Sequence, residues 1–499
     1  MVELTQAISR ALIPGSGAAI DCGPTGFMNP NRPSNDDAHV WRAIERVDPP
    51  KRPAAERATD FDEIYSLLDE ATVRAQASRC IQCPQPSCRE GCPLANRIPE
   101  WLALAAEGRF IEAAEISQTT SNLPEICARV CPQEKLCEGA CILVGHAEPI
   151  CIGAIEKFIN EYAFAHCCEV PLSAPANGRR VAVVGSGPGS LACADELAKR
   201  GYAVTVFESQ SQAGGLLLNG LPGFKLEKSV VERRVNLLRR RGVQFELGVT
   251  VGGQLQLNDL WKDFRAVFLG LGAQQAKPLE IPGAEWRGVQ AALPFLIQKN
   301  SPMPLAIPAI EVAGRRVVVL GGGDTAMDCL RTAIRAGATE AVCVYRRDFA
   351  NMPGSRKEYY NAIEEGAQFR FLTNPVALEG AAHTGVTGVR CTRMELGEPD
   401  FSGRRKPRSV AGSEFTIPAD LVLVAYGFDP VPFPEHSDFA EIAVNDWGAI
   451  RVDENQMTNV PGVFAGGDVV RGASLVVHAV RDGRKAALGI HRYLLPAEK

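Results

Sequence analysis

Eight cysteines fall between Cys80 and Cys141, in two runs. The first reads Cys80, Cys83, Cys88 and Cys92, closed by Pro93. The second reads Cys127, Cys131 with Pro132, Cys137 and Cys141. Thiolates ligate both iron–sulfur clusters and zinc. Structural zinc sites use pairs of C-x2-C at a longer separation, and here only Cys80 and Cys83 have that spacing. A C-x2-C-x4-C-x3-C-P run suits the wrapping of a cubane, where the fourth cysteine of a run often serves the other cluster. Spacing leaves open which cysteine serves which cluster. Cys151, Cys167 and Cys168 lie outside both runs and read as buried or free thiols.

Two glycine fingerprints follow. VAVVGSGPGS sets Gly185 and Gly187 at the end of an apolar segment, with Ser190 where a third glycine is usual. Glycines there allow a tight turn and let the backbone approach a pyrophosphate, which then faces the free N–H groups of a helix N-terminus. Glu208, 23 residues after Gly185, suits ribose hydroxyls. AGGLL, with Gly214 and Gly215, and GVFAGGD, with Gly467 and Asp468, point to FAD at this first turn. Gly272 and Ser474 complete its candidate set. The second fingerprint, VVVLGGGDTAMDC, offers Gly321, Gly323, Asp324 and Thr325, with Ala326 in the third position. Its next strand ends in Tyr345-Arg346-Arg347 rather than an acid, and guanidinium suits a ribose 2′-phosphate, so NADPH is expected over NADH. The plainer readings are a ligand-free turn, two surface arginines, and Asp324 and Asp328 as helix-capping or solvated acids.

Cys193, Cys329, Cys343 and Cys391 are isolated, so no vicinal pair suits thiol–disulfide exchange. No Ser/His/Asp arrangement or metal-binding cluster stands out among the seven histidines. Hydride transfer needs no such catalytic residue, because the cofactor carries the chemistry.

The elements that must position these residues change character along the chain. Residues 1–60, rich in Pro, Gly, Asn and charge, read as an extended arm. Residues 61–172 have helical apolar spacing, as in IPEWLALAAEGRFIEAAEIS, interrupted by the cysteine loops. A polar linker, Ser173–Arg180, follows. Val181–Val184, the helix LACADELAKRG and Tyr202–Glu208 make a β-α-β unit. The plan recurs at Arg315–Leu320, a helix through Ala336, and Glu340–Tyr345. GVFAGGD and a helix from about Ser474 to Tyr493 close the chain. The expected division is 173–305 for the first part of an FAD domain, 306–430 for an NADPH domain and 431–499 for the second part of the FAD domain. The fold class is α+β multidomain: a helical N-terminal iron–sulfur domain, then two Rossmann-like, three-layer FAD- and NAD(P)-binding domains.

Length and composition agree with a globular chain of about three domains: 499 residues, 46% apolar and 22% charged. A net charge of −5 provides no basic field, so neither nucleic acid nor an anionic membrane is an expected partner. No apolar run approaches the roughly 18 residues of a membrane span, and MVELTQAISR does not read as a signal peptide. Eleven of the sixteen cysteines crowd between Cys80 and Cys168, unlike a secreted disulfide framework, which points to the cytosol.

Along almost its whole length the chain resembles the small (β) subunit of NADPH-dependent glutamate synthase. The resemblance rests on PTGFMN at Pro24–Asn29, RPAAERATDFDE at Arg52–Glu63, both cysteine runs, GLPGFKLEK at Gly220–Lys228, YRR and GVFAGGD. The wider family includes the amino-terminal half of dihydropyrimidine dehydrogenase and the large subunit of the bifurcating ferredoxin:NADP oxidoreductase. The resemblance implies two 4Fe–4S clusters with crossed ligation. One takes Cys80, Cys83, Cys88 and Cys141. The other takes Cys92, Cys131, Cys137 and a non-cysteine ligand from Ile152–Glu156, namely Glu156, which leaves Cys127 beside the cluster; spacing alone selects Cys127 instead. Two departures from the family, Ser190 for Gly and Asn219 before Gly220, fall near the expected flavin. The implied activity is electron input: NADPH reduces FAD, and single electrons leave through the clusters to the large (α) subunit, which carries the glutaminase, FMN and 2-oxoglutarate sites. The alternatives are another electron-accepting subunit, such as a ferredoxin, a pyrimidine-reducing or a sulfur-compound partner, and a non-catalytic redox-sensing module.

Overall fold

A computed structural model describes residues 40–166, 174–301, 309–399, 405–434 and 436–495. PTGFMN, Cys167 and Cys168, and the arm before residue 40, lie outside the described residues.

The helical region is built on Glu70–Ser78, Ile98–Glu107, Phe110–Thr120, Pro124–Val130 and Ile152–His166. The first begins at Asp69, whose side chain accepts from the Thr72 amide, and the second ends at Gly108 in the left-handed region. Their apolar faces close around Trp101, Leu102, Phe110, Ile155 and Ile159, all buried. The cysteine loops leave this core at residues 80–97 and 131–151. Cys127 lies outside both loops, within the helix Pro124–Val130, and Cys88 sits on the single-turn helix Ser87–Glu90 inside the first loop.

Two parallel sheets follow. The first runs Val463–Ala465, Ala266–Leu269, Arg180–Val184, Ala203–Glu208, Gln244–Leu247. The second runs Val289–Ala291, Leu421–Val424, Arg316–Leu320, Glu340–Val344, Gln368–Arg370. Both central strands are buried on both faces, which explains their unbroken Val and Leu runs. In each sheet the strand order reverses beside the first β-strand of its unit, and the glycine turns lie at the carboxyl ends flanking that crevice. Val289–Ala291, within the span assigned from sequence to the first part of the FAD domain, pairs in the second sheet. An antiparallel sheet of Thr373–Ala381, Gly385–Pro399, Arg405–Ser409 and Phe415–Pro418 is inserted after Gln368–Arg370 and was not anticipated.

The segment 57–63, which spans the boundary between arm and helical region, ties all three parts together. Arg57, buried, donates to Glu364 and Glu365 of the second nucleotide unit. Glu63 binds Arg129 and Lys157 of the helical region and accepts from the Glu227 amide. Phe61 approaches Phe224, itself held between the guanidiniums of Arg331 and Arg335 at 4.1 Å each. Among the described residues, no helix is long and apolar enough to cross a membrane.

Candidate functional site: two thiol cavities and two dinucleotide turns

The cysteines separate into two cavities that do not follow the two runs. Cys80, Cys83, Cys88 and Cys141 line one, walled by Leu102, Leu143 and Ile150. Cys92, Cys131 and Cys137 line the other, together with Cys127 and Glu156. The last cysteine of each run has thus crossed to the other group. Among the described residues all thirteen cysteines are free thiols, and no three Cys, His, Asp or Glu side chains converge as they would on a single metal ion. Each group instead surrounds a space, which is the geometry a multi-atom cluster needs. Burial pushes Cys80 and Cys88 up to about 12 and Cys92 up to about 11. To ligate iron such thiols would have to lose their protons, so cluster assembly there would release protons. Cys131 is raised first by its hydrogen bond with Cys127 and then by burial.

Glu156 is oriented from behind. Its Oε1 accepts from Asn96 Nδ2 at 2.9 Å and Ser117 Oγ at 3.0 Å, and Asn96 Oδ1 accepts from Trp101 Nε1 at 3.2 Å. Burial raises its carboxyl to about 7. Partners of this kind fix a ligand's direction. Five candidate donors therefore share one cavity, and the Cys127 that spacing selects and the Glu156 that the resemblance implies both line it.

The first glycine turn follows Arg180–Val184. Gly185 has φ +87°, and a Cβ there would lie 2.5 Å from the Gly270 carbonyl oxygen, so no larger residue fits. Gly187 is the N-cap of Pro188–Lys199 and makes no side-chain cap. A Cβ on it would meet nothing within 4 Å, which leaves a cradle open at the helix N-terminus. Ser190 is buried beneath the turn and its Oγ has no hydrogen-bond partner. Its room comes from the facing residue, because a Cβ on Gly270 would lie 2.1 Å from that Oγ. Glu208, buried, accepts from Ser186 Oγ at 2.5 Å, and from the Gln210 amide at 2.9 Å. Ser186 Oγ also accepts from the Gly214 amide at 2.9 Å, and Gly215 packs against Gly187, so the AGG segment is fastened to the turn.

A cavity of about 870 Å³ runs from this turn. Gly185, Gly187, Glu208 and Gly215 line one part; Gly272, Gly467, Asp468 and Ser474 line another. Burial raises the Asp468 carboxyl to about 7, against the Ser474 amide and Arg471. Asp324 and Thr325 of the second turn reach the same cavity. So do Lys225 and Glu358, which sequence motifs did not single out, and Asp328, read from sequence as a capping or solvated acid: Lys225 Nζ lies 3.0 Å from Asp328 and 3.9 Å from Glu358. The signal for Lys225 was the GLPGFKLEK segment, whose two lysines had no assigned part. Asn219 also lines the cavity.

The second turn repeats the first. Gly321 has φ +136° and stands where a Cβ would meet the Ala425 carbonyl, and Gly323 caps Asp324–Arg335 with open space at its Cα. Asp324 Oδ1 accepts from the Ser355 amide at 2.8 Å. The two arginines differ. Arg346 is exposed, whereas Arg347 is buried and its Nε donates to the Arg405 carbonyl at 2.9 Å, tying the strand end to the antiparallel sheet.

The thiol and dinucleotide regions share a wall. Cys131 lines both the 870 Å³ cavity and the Glu156 cavity, and on the last helix Val476 faces the former while Val477 faces the latter.

Residues 57–168 match the family described as dihydropyrimidine dehydrogenase domain II, 4Fe-4S cluster, and residues 179–483 match pyridine nucleotide-disulphide oxidoreductase. The chain is 48% identical over 454 residues to the glutamate synthase [NADPH] small chain of Azospirillum brasilense, covering 89% of this chain and 94% of that one. It is 46% identical over 464 residues to the Escherichia coli small chain, covering 90% and 98%. It is also 46% identical over 461 residues to the putative oxidoreductase AegA of E. coli, covering 90% of this chain and 70% of that one. Among solved structures, FprA of Mycobacterium tuberculosis in complex with NADPH shares the fold, with 22% identity, a TM-score of 0.54, and coverage of 64% and 85%.

Proposed function

The chain belongs to the family of NADPH-dependent glutamate synthase small chains, FAD- and iron–sulfur-dependent oxidoreductases, and on that premise we propose that it is the electron-input subunit of a glutamate synthase. When bound, FAD supplies the conversion of one two-electron hydride transfer from NADPH into single electrons that 4Fe–4S clusters can carry.

The chain's own residues would divide the work as follows. Gly187 and the N-terminus of Pro188–Lys199 receive the FAD pyrophosphate, Glu208 its ribose, and the Asp468 end of the last helix the flavin side. Gly323 and the N-terminus of Asp324–Arg335 receive the NADPH pyrophosphate, with Arg346 at the 2′-phosphate. Cys92, Cys131, Cys137 and Glu156 hold an inner cluster, and Cys80, Cys83, Cys88 and Cys141 hold an outer one. The observation that carries the reading is the double exposure of Cys131, which borders both the dinucleotide cavity and the inner thiol cavity. The residues that would hold the inner cluster are thus the ones that border the dinucleotide cavity. The residues that would hold the outer one line a cavity that reaches the surface at Ile142, itself 54% exposed, on the side open to a partner. Lys225 pairs across the two nucleotide units with Asp328 and keeps both facing one cavity.

The partner proposed is the large subunit of a cytoplasmic glutamate synthase. The equal identity to AegA favours a second reading, in which the same module serves another electron acceptor. Anaerobic mixing with NADPH tests the core of the proposal: flavin absorbance bleaches and reduced iron centres appear by paramagnetic resonance. Flavin that stays oxidised, or iron centres that stay silent, would refute it. Glutamine-dependent NADPH oxidation after addition of the large subunit separates the two partners. Cys88→Ser should lower iron content while FAD stays bound; unchanged iron removes Cys88 from the ligand set.

A further inference from the structure

The loop that joins two cysteines of the inner cavity is bolted to the second dinucleotide turn. Between Cys131 and Cys137, Lys135 Nζ donates to the Pro353 carbonyl at 2.6 Å and to the Gly354 carbonyl at 2.9 Å. Glu134 Oε1 accepts from Ser355 Oγ at 2.8 Å and from the Arg356 amide at 3.0 Å. These four bonds span some 220 residues of sequence and seize one short segment, Pro353–Arg356. That segment in turn holds the glycine turn. The Gly354 amide donates to the Gly322 carbonyl at 3.0 Å, and the Ser355 amide donates to Asp324 Oδ1 at 2.8 Å. A Cβ on Gly354 would come within 3.1 Å of the Gly322 carbonyl, so the two backbones are in direct contact.

The loop itself is not free to drift. The buried Gln133 donates from Nε2 to the Ala128 carbonyl, and Gly153 packs directly on its amide. Leu136 is met by Gly91, and a Cβ there would lie 2.9 Å from the Leu136 carbonyl oxygen. The helical region thus offers a stiff platform, and the nucleotide turn is the part that is held.

We propose that Glu134 and Lys135 are positioning residues for the second dinucleotide: they fix Pro353–Arg356, and through it the Gly321–Asp324 turn, in the shape that receives a pyrophosphate. This rests on the reading of that turn as the NADPH site. Since binding couplings are reciprocal, occupancy of the turn must also act on the loop between Cys131 and Cys137. The bonds are charge-assisted but partly exposed, so the coupling sits at the low end of the usual range.

The test uses the full chain with its FAD and iron, and NADP⁺ alone as the probe. Binding is followed by the flavin difference spectrum, and the dithionite-reduced iron centres by paramagnetic resonance with and without NADP⁺. Glu134→Ala with Lys135→Met, which removes the acceptor as well as the donor, raises the NADP⁺ Kd about fivefold. It also abolishes the change that NADP⁺ makes to the resonance spectrum of the parent. Lys135→Arg, which can still donate to both carbonyls, restores both readouts. Lys135→Met alone, which leaves the Glu134 bonds, raises Kd about threefold and covers the case in which the double variant loses iron. Parent-like Kd values in both variants overturn the proposal, as does a parent spectrum indifferent to NADP⁺. A parent that binds no NADP⁺ overturns the reading of the turn itself, which is a separate outcome.

Discussion

The two dinucleotide units share a backbone plan and differ in what fills the crevice at the strand ends. In the first, Ser190 faces Gly270; in the second, Ala326 and Ala425 occupy the corresponding places. Each pair fits one side-chain complement between turn and neighbouring strand, but the first concentrates it on the helix and the second divides it. The acids differ as well. Glu208 is buried and held by a serine and an amide, whereas the second unit ends its strand in the buried Tyr345 and the exposed Arg346. The two units thus share one backbone plan and differ at matched places: Ser190 with Gly270 against Ala326 with Ala425, and Glu208 against Tyr345 and Arg346.

The largest effect is expected at Gly270. Gly270→Ala puts a methyl 2.1 Å from Ser190 Oγ and 3.0 Å from the Phe268 ring, closer than either contact allows. A destabilisation of about 3 kcal/mol is expected, seen as a lower Tm and loss of FAD on gel filtration. Adding Ser190→Gly should recover most of it, because the hydroxyl is the nearest obstacle; a double-mutant cycle measures the pairing. In the second unit Ala425→Gly should cost much less, about 1 kcal/mol. Additive behaviour at Ser190 and Gly270 would break the claim that the two residues compensate each other.

Next comes Glu208→Ala. It strands Ser186 Oγ and the Gln210 amide, a loss of about 2 kcal/mol. The flavin-to-protein ratio should fall while iron content holds. A parallel fall in iron would mean that Glu208 supports the whole fold rather than one nucleotide.

Arg346 and Arg347 sharpen the comparison further. Arg346→Ala should raise the NADPH Kd about tenfold and leave NADH almost unchanged, since only one of the two carries the 2′-phosphate. Arg347→Ala should weaken both nucleotides alike, because its Nε holds the Arg405 carbonyl and the antiparallel sheet. Equal losses in Arg346→Ala would remove the 2′-phosphate assignment.

How much of this was legible in sequence follows from what kind of constraint acts. Gly185, Gly187, Gly321 and Gly323 announced their turns because the chemistry demands those residue types at fixed short spacing. The same holds for the cysteine runs and for Glu208. Gly270 gave no signal: its partner Ser190 is eighty positions away, and only strand pairing brings them together. Spacing selects Cys127 and carries no sign of Glu156, because helix Pro124–Val130 turns one thiol toward a cavity that the distant helix Ile152–His166 also lines. The antiparallel sheet was missed because short polar strands such as Arg405–Ser409 carry no apolar alternation. Arginine as a marker of phosphate is similarly blind to burial, so Arg346 and Arg347 read alike although one is exposed and the other is enclosed.

The smallest effect is expected at Ser190 itself. Its hydroxyl is buried and has no partner, a state that costs about 1 kcal/mol relative to an apolar group of like size. Ser190→Ala removes the hydroxyl and keeps the Cβ, which makes the first unit match the Ala326 of the second. A rise in Tm of a few degrees, with FAD content unchanged, is expected. If the variant instead sheds FAD, the hydroxyl is reaching for the cofactor, and the difference between the two units is chemical at this position as well as steric.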